Sequence, residues 1–300
     1  MERKRLACNI AFFSDVMTLH KTDLNLCKRL LPFSKVCKRA ACAPAEPMNL
    51  HYETHGAGAP LILIPGVASG AWTWFCQTEE LAKDFRVITF DPRGIGKSPN
   101  DLQSLSIETF AADVLAILDD LKIEKANVLG ASFGGFVAME FARNFPERLD
   151  KLVLACTSAG GANHVRPDIE ILRSFTPNPN LSVGESIRKF IRPAFNNDFN
   201  AEIIEQVCRM REANEVSEAV YSAQLQVAFS FNFESELSNI KAETLVITGD
   251  KDRVVPMPNS VKLAEKLPNA RLEIIKDGSH LFFVENAGEF NRAIKDFLLT

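Results

Sequence analysis

The stretch Gly130-Ala131-Ser132-Phe133-Gly134-Gly135 decides the fold, because it joins a predicted buried strand to a predicted helix. An apolar run precedes it at 125–129, and apolar residues at helical spacing follow at 136–143. A serine between small residues at such a turn is typical of a nucleophile elbow. The glycines let strand and helix approach closely, so we expect the serine hydroxyl to lie clear of the sheet, beside the first amides of the helix. The alternative is a Gly-rich turn without catalytic function.

The rest of the chain alternates between predicted strands and helices. Strands are predicted at 49–54, 61–64, 85–90, 125–129, 151–156, 244–248 and 271–275, and one helix is predicted near 72–83. This alternation predicts an α/β protein with a mostly parallel, doubly wound sheet covered by helices on both faces.

Two regions depart from that pattern. Residues 159–238 contain prolines and amphipathic runs but no convincing strand, which predicts a helical cap inserted into a core of residues 48–158 and 239–300. Residues 1–47 hold four of the seven cysteines, and nine Lys or Arg against four Asp or Glu. We interpret them as a poorly structured basic extension, with Met48 as a hypothetical functional start.

Composition excludes several classes of protein. A hydrophobic content of 46% and a charged content of 24% are typical of a soluble globular chain, and no apolar run is long enough to span a bilayer. The net charge of −4 gives no reason to expect a nucleic acid or an anionic membrane as partner. Seven unclustered cysteines argue against a disulfide framework and a zinc site, and favour the cytoplasm. Oligomeric state is left open.

A nucleophilic serine needs a base and an orienting carboxylate. Of the five histidines, His20 lies in the extension, His51 and His55 lie in the first strand and its turn, and His164 opens the cap. His280 lies just beyond a later strand, where active-site loops of parallel sheets lie. Asp250 and Asp252 both follow the strand at 244–248, and either one is a candidate for the acid or for a simple turn former.

From Met48 to Thr300 the chain resembles the α/β-hydrolase family, in particular its esterase, lactonase and C–C hydrolase branch. Besides the elbow, the resemblance rests on Pro65-Gly66-Val67, Asp91-x-Arg93-Gly94-x-Gly96-x-Ser98, Gly249-x-x-Asp252 and Gly278-x-His280. It implies Ser132 as nucleophile, His280 as general base and Asp252 as its orienting acid. It also implies an oxyanion hole made of the backbone N–H groups of Val67 and Phe133, and no metal or other cofactor.

Two positions depart from the family pattern. Pro65 stands where the family often has histidine, which leaves the backbone donor in place. The family's first edge strand would fall near 38–47, where Pro44 and Pro47 disfavour a regular strand.

The elbow residue narrows the expected reaction. Relatives that open epoxides or remove halide carry aspartate there, so Ser132 favours acyl transfer. We expect a serine hydrolase whose partner is a small or medium carboxylic ester or lactone. The alternatives are a C–C bond hydrolase with the same triad and a slow-turnover ligand receptor or signalling protein. The Asp91–Ser98 loop is interpreted as structural, and Trp72, Trp74 and the cap phenylalanines as pocket lining or core.

Overall fold

The computed structural model describes residues 49–100, 105–176, 178, 180–214 and 216–300. The predicted extension at 1–47, the hypothetical start at Met48 and the question of an edge strand near 38–47 lie outside these residues.

Seven strands of the described chain form one sheet. They are β1 (Tyr52–His55), β2 (Ala59–Ile64), β3 (Phe85–Phe90), β4 (Ala126–Ala131), β5 (Leu149–Ala155), β6 (Thr244–Gly249) and β7 (Ala270–Ile275). Their order is β1-β3-β2-β4-β5-β6-β7; β1 pairs antiparallel with β3, and every other pairing is parallel. The predicted α/β fold with a mostly parallel, doubly wound sheet is confirmed.

The α-helices of the described residues lie between and after these strands. They are α1 (Thr78–Leu81), α2 (Ile107–Asp120), α3 (Phe133–Asn144), α4 (Ile169–Phe175), α5 (Val183–Ile191), α6 (Ala201–Ala213), α7 (Glu218–Ser230), α8 (Pro258–Lys266), α9 (Phe282–Glu285) and α10 (Ala287–Leu298). None of them is both long and apolar enough to cross a bilayer.

Alternate residues of the central strands bury their side chains on opposite faces of the sheet. In β2, Ile62 and Ile64 join a core with α2, α3 and α8, whereas Leu61 and Leu63 join a second core with α1, α9 and α10. A strand buried on both faces needs apolar residues at every position, which explains the continuous apolar run in its sequence.

Helices α4 to α7 lie within residues 159–238, which we call the cap. The two ends of the cap lie side by side, since Gly160 forms an antiparallel bridge with Asn232, and the Phe233 amide donates to the Ala159 carbonyl at 2.8 Å. The chain therefore enters and leaves the cap at one place, between β5 and β6.

The stretch at 72–83 differs from its prediction as one helix. It forms a 3-10 turn at Ala71–Trp74 and the short helix α1. Between them Gln77 is fully buried, and its side-chain amide donates to the Phe283 carbonyl at 2.6 Å. This tertiary contact, which no local pattern reveals, sets the path of the chain here.

A buried ion pair ties the loop after β3 to α2. Arg93 donates from Nε and NH2 to both carboxylate oxygens of Asp113, at 2.7 and 2.6 Å, and the two side chains are 2% and 5% exposed. Such a bidentate pair compensates a charge that is otherwise expensive to bury.

We expect Asp113→Ala to lower the free energy of unfolding by about 3–5 kcal/mol, because Arg93 then loses its bidentate contact with Asp113 while remaining buried. Urea unfolding of the two proteins measures this. The matched control is Asp150→Ala at the exposed pair of Lys125 and Asp150, where we expect little change. Equal losses in the two variants would contradict a special role for the buried pair.

Candidate active site

Ser132 lies at the turn between β4 and α3 in a strained backbone conformation, with φ 54° and ψ −118°. The strand and helix approach so closely that a Cβ at Gly130 would lie 2.2 Å from the Gly134 carbonyl oxygen. A Cβ at Gly134 would lie 2.2 Å from the Ile64 carbonyl oxygen. Glycine is therefore required at both positions, as the sequence indicates for a nucleophile elbow.

The structure brings Ser132, His280 and Asp252 together at the carboxyl ends of the parallel strands. His280 follows β7, and its Nε2 lies 3.1 Å from Ser132 Oγ. Its Nδ1 lies 2.8 Å from Asp252 Oδ2. Asp252 follows β6 and its side chain is fully buried, whereas neighbouring Asp250 is exposed. Of the two aspartates, only Asp252 contacts the histidine.

The second oxygen of Asp252 fixes the orientation of the carboxylate. Oδ1 accepts hydrogen bonds from the amides of Val254 and Val255, both at 2.8 Å. The carboxylate thus has three polar contacts, one of which is directed at His280.

Glu285 holds the loop that carries His280, a role that the sequence does not indicate. Its Oε2 accepts from the Ser279 amide at 3.0 Å, and its Oε1 accepts from the Asn196 amide of the cap at 2.7 Å. Asn196 also donates to the Asp277 carbonyl at 2.6 Å. The histidine loop is therefore attached to the cap.

The two amides named for the oxyanion hole belong to residues close to Ser132, since Phe133 follows it in the chain and a Cβ at Gly66, next to Val67, would lie 3.6 Å from Ser132 Cβ. Val67 follows β2, Phe133 begins α3, and both residues line the cavity that Ser132 faces. Neither N–H group donates to a hydrogen-bond partner among the residues that the structure describes. Both are thus available to a ligand oxygen.

Gln224 of the cap fixes the loop that carries Val67. Ala68 has a φ of 54°, and its amide donates to Gln224 Oε1 at 2.7 Å. Gln224 is 1% exposed and stands 156 positions further along the chain, so no local sequence signal connects the two residues. A glutamine within a cap helix carries no mark of this role.

Cys156 lies close to Ser132 and Asp252, but its thiol is a poor candidate for the nucleophile. Burial, together with the negative charge of Asp252, raises the pKa of its thiol well above the usual value. A neutral thiol is a weak nucleophile.

A cavity of about 1330 Å³, its open mouth included, lies over Ser132 and His280. Its walls are mostly apolar and come from both core and cap. The contributing aromatic residues are Trp72, Phe75, Phe133, Phe136, Phe175, Phe190, Phe229 and Phe283. Trp72 thus lines the cavity, whereas Trp74 is fully buried in the core.

The Asp91–Ser98 loop has a structural function, as interpreted from the sequence. The Asp91 carboxylate accepts from the amides of Ala71 and Lys97 at 3.0 and 3.1 Å, and the Ser98 hydroxyl donates to the Asp91 carbonyl. In the described part of the chain, no group of three or more His, Cys, Asp or Glu residues is arranged to hold a metal ion.

The chain is similar to several known proteins. The family model of the alpha/beta hydrolase fold matches residues 59–203 and 175–287. A Caulobacter sp. (strain K31) protein, provisionally named carbamate hydrolase RutD, is 32% identical over 83% of this chain and 96% of its own. The 2-hydroxy-6-oxo-6-phenylhexa-2,4-dienoate hydrolase of Comamonas testosteroni is 31% identical over 83% of this chain and 91% of its own.

The crystal structure of the enol-lactonase from Burkholderia xenovorans LB400 is also similar. It has a TM-score of 0.75 and 25% identity, and the match covers 86% of this chain and 99% of that one.

Proposed function

Since the chain belongs to the α/β-hydrolase fold family, we propose that it is a serine hydrolase that cleaves a small or medium carboxylic ester or lactone. One observation carries the proposal: Ser132, His280 and Asp252 are connected at hydrogen-bonding distances, and Ser132 and His280 line a largely apolar cavity. A nucleophile, a base and an orienting acid in this arrangement support acyl transfer.

In the proposed first step, Ser132 Oγ attacks the carbonyl carbon of the substrate while His280 Nε2 accepts the hydroxyl proton. Asp252 Oδ2 accepts a hydrogen bond from His280 Nδ1–H, which keeps Nε2 free as the acceptor and stabilises the imidazolium. The amides of Val67 and Phe133 donate to the oxyanion that forms. One such donor contributes about 3 kcal/mol to lowering the barrier.

Collapse of this intermediate expels the alcohol, to which His280 returns the proton, and leaves an ester on Ser132. Water activated by the same histidine then hydrolyses the acyl-enzyme and regenerates the serine. In a lactone the alcohol stays attached to the acyl group, so the product of both steps is one hydroxy acid. We propose that the cap determines substrate choice, since α4 to α7 supply much of the cavity wall.

The names of two relatives add other kinds of scissile bond to the ester and lactone bonds that should be tested. One is named a carbamate hydrolase and another a hydrolase of a dienoate. A carbamate contains a C–N bond next to its carbonyl, and cleavage of a C–C bond is the alternative that we predict from the resemblance. The proposed triad would serve either bond, because Ser132 would attack the carbonyl carbon in each case and the proton taken up by His280 would pass to the departing nitrogen or carbon. Substrate comparison, not the triad, therefore distinguishes these reactions.

The experiment is presteady-state hydrolysis of p-nitrophenyl esters of increasing chain length, alongside lactones and a p-nitrophenyl carbamate. We expect a burst of one equivalent of p-nitrophenol followed by continuous turnover, with the esters or lactones turned over faster than the carbamate. A burst followed by near arrest would favour the slow-turnover receptor. Faster carbamate than ester turnover would move the proposal to carbamates.

A further inference from the structure

Arg211 stands out among the residues that line the cavity. Apart from the histidines His164 and His280, it is the one lining residue among those described with an ionisable side chain, and no carboxylate lines the cavity. It lies in the last turn of α6 and is 8% exposed. A cationic residue thus lines the largely apolar cavity that contains the proposed nucleophile.

The charge of Arg211 has no counter-ion among the described residues. The NH1 group donates to the Asn214 carbonyl at 3.1 Å, whereas Nε and NH2 donate to nothing in the described part of the chain. Arg188 in the same cap is different, because it pairs with both Glu205 and Glu212. Two acidic residues of α6, Glu205 and Glu212, therefore pair with Arg188 and not with Arg211.

The phenol of Tyr221 cannot supply the missing charge. Tyr221 is close enough to influence Arg211 electrostatically, but burial raises the pKa of its phenol, so the phenol is neutral near pH 7. Burial in turn lowers the pKa of Arg211 to about 10, which still leaves the guanidinium charged near neutrality. An uncompensated buried cation is expensive, and proteins retain one where a ligand neutralises it.

We propose that Arg211 binds a carboxylate of the substrate, so that the ester or lactone carries an acid group on its acyl side. The planar guanidinium fork matches a carboxylate and can donate two parallel hydrogen bonds to it. The apolar residues that line the cavity together with Arg211 and Ser132 would then contact the carbon chain that separates the acid from the scissile carbonyl. This inference rests on the proposed function, and it narrows the substrate from any small ester to an acidic one.

The test compares two esters that differ only at the far end of the acyl chain. They are mono-p-nitrophenyl adipate, which ends in a carboxylate, and p-nitrophenyl hexanoate, which ends in a methyl group. Glutarate and suberate monoesters vary the distance between the two ends. Each is assayed with the wild type, Arg211→Met, which removes the charge and keeps much of the length, and Arg211→Lys, which keeps the charge without the fork.

We expect the wild type to prefer one acidic monoester over its neutral partner. Arg211→Met should lower the ratio of kcat/KM for that acidic ester to kcat/KM for the hexanoate about 100-fold. Arg211→Lys should recover part of the preference. A purely structural role for Arg211 would instead lower both values together, and an unchanged ratio of acidic to neutral ester would overturn the inference while leaving the proposed function intact.

A binding measurement keeps the inference testable without turnover. In calorimetric titrations with adipate, we expect the wild type to bind it and Arg211→Met to bind it at least tenfold more weakly, with hexan-1-ol as the neutral control. Adipate affinity that is equal in the two proteins would overturn the inference. Absence of ester hydrolysis together with Arg211-dependent binding would overturn the proposed function and support the carboxylate site.

Discussion

Replacing Ser132 by alanine is expected to lower kcat about 10⁵- to 10⁶-fold, because the residue proposed to form the acyl-enzyme is lost. The fold should survive the change. Alanine has the same Cβ as serine, so the strained φ of 54° and the close approach of Gly130 and Gly134 stay as they are. Steady-state hydrolysis of the best ester in the series measures the loss.

The melting temperature is the control for this variant. It should remain within a few degrees of the wild-type value, which separates a chemical loss from an unfolded protein. Activity within tenfold of the wild type in a folded Ser132→Ala protein would refute Ser132 as the nucleophile.

Asp252→Asn is expected to lower kcat by about 10⁴-fold. The asparagine oxygen can still accept from the amides of Val254 and Val255, so its NH2 group then faces His280 Nδ1. That contact favours the imidazole tautomer with hydrogen on Nε2, which cannot accept the serine proton. The same ester assay measures the effect.

Asp250→Asn is the matched control for this prediction. Asp250 lies two residues away on the same loop, but it is exposed and does not contact His280. We expect its kcat to stay within about twofold of the wild type. The reverse result, a large loss for Asp250 and a small one for Asp252, would show that the acid has been assigned to the wrong aspartate.

The sheet could be predicted from the sequence because each of its central strands is buried on both faces. Such strands read as short continuous apolar runs between turn residues, and the helices between them have an apolar face. The path at 72–83 could not be predicted in the same way. It depends on the buried contact of Gln77 with Phe283, 206 positions away.

The residues of the candidate site also differ in how far the sequence alone predicts them. Ser132 and His280 could be named from local context, since each directly follows a predicted strand whose carboxyl end meets the active-site edge of a parallel sheet. From its residues alone, the Gly249–Asp252 loop left two aspartates open; the resemblance pointed to Asp252, the one that is buried against the histidine in the structure. The catalytic roles of Ser132, His280 and Asp252 stay predictions.

Gln224 and Arg211 show what sequence reasoning misses. Both lie in cap helices, where a polar residue ordinarily faces solvent, yet both are buried. Their roles depend on residues that are distant in the sequence, because Gln224 contacts the loop of Val67 and Arg211 lines the cavity of Ser132. Helical spacing places both on the buried face of their helix, Arg211 with Ile204 and Val207 and Gln224 with Val220, but it does not show which groups the side chains meet there.

The most direct measurement of the central claim is labelling with diisopropyl fluorophosphate, followed by peptide mass spectrometry. An activated serine attacks phosphorus, displaces fluoride and keeps the phosphoryl group, so the adduct marks the nucleophile whatever the natural substrate is. We predict one adduct per chain, on the peptide that contains Ser132, with labelling lost in Ser132→Ala and much slower in His280→Ala. A wild-type protein that is folded but unlabelled, or that is labelled at another residue, would contradict the account.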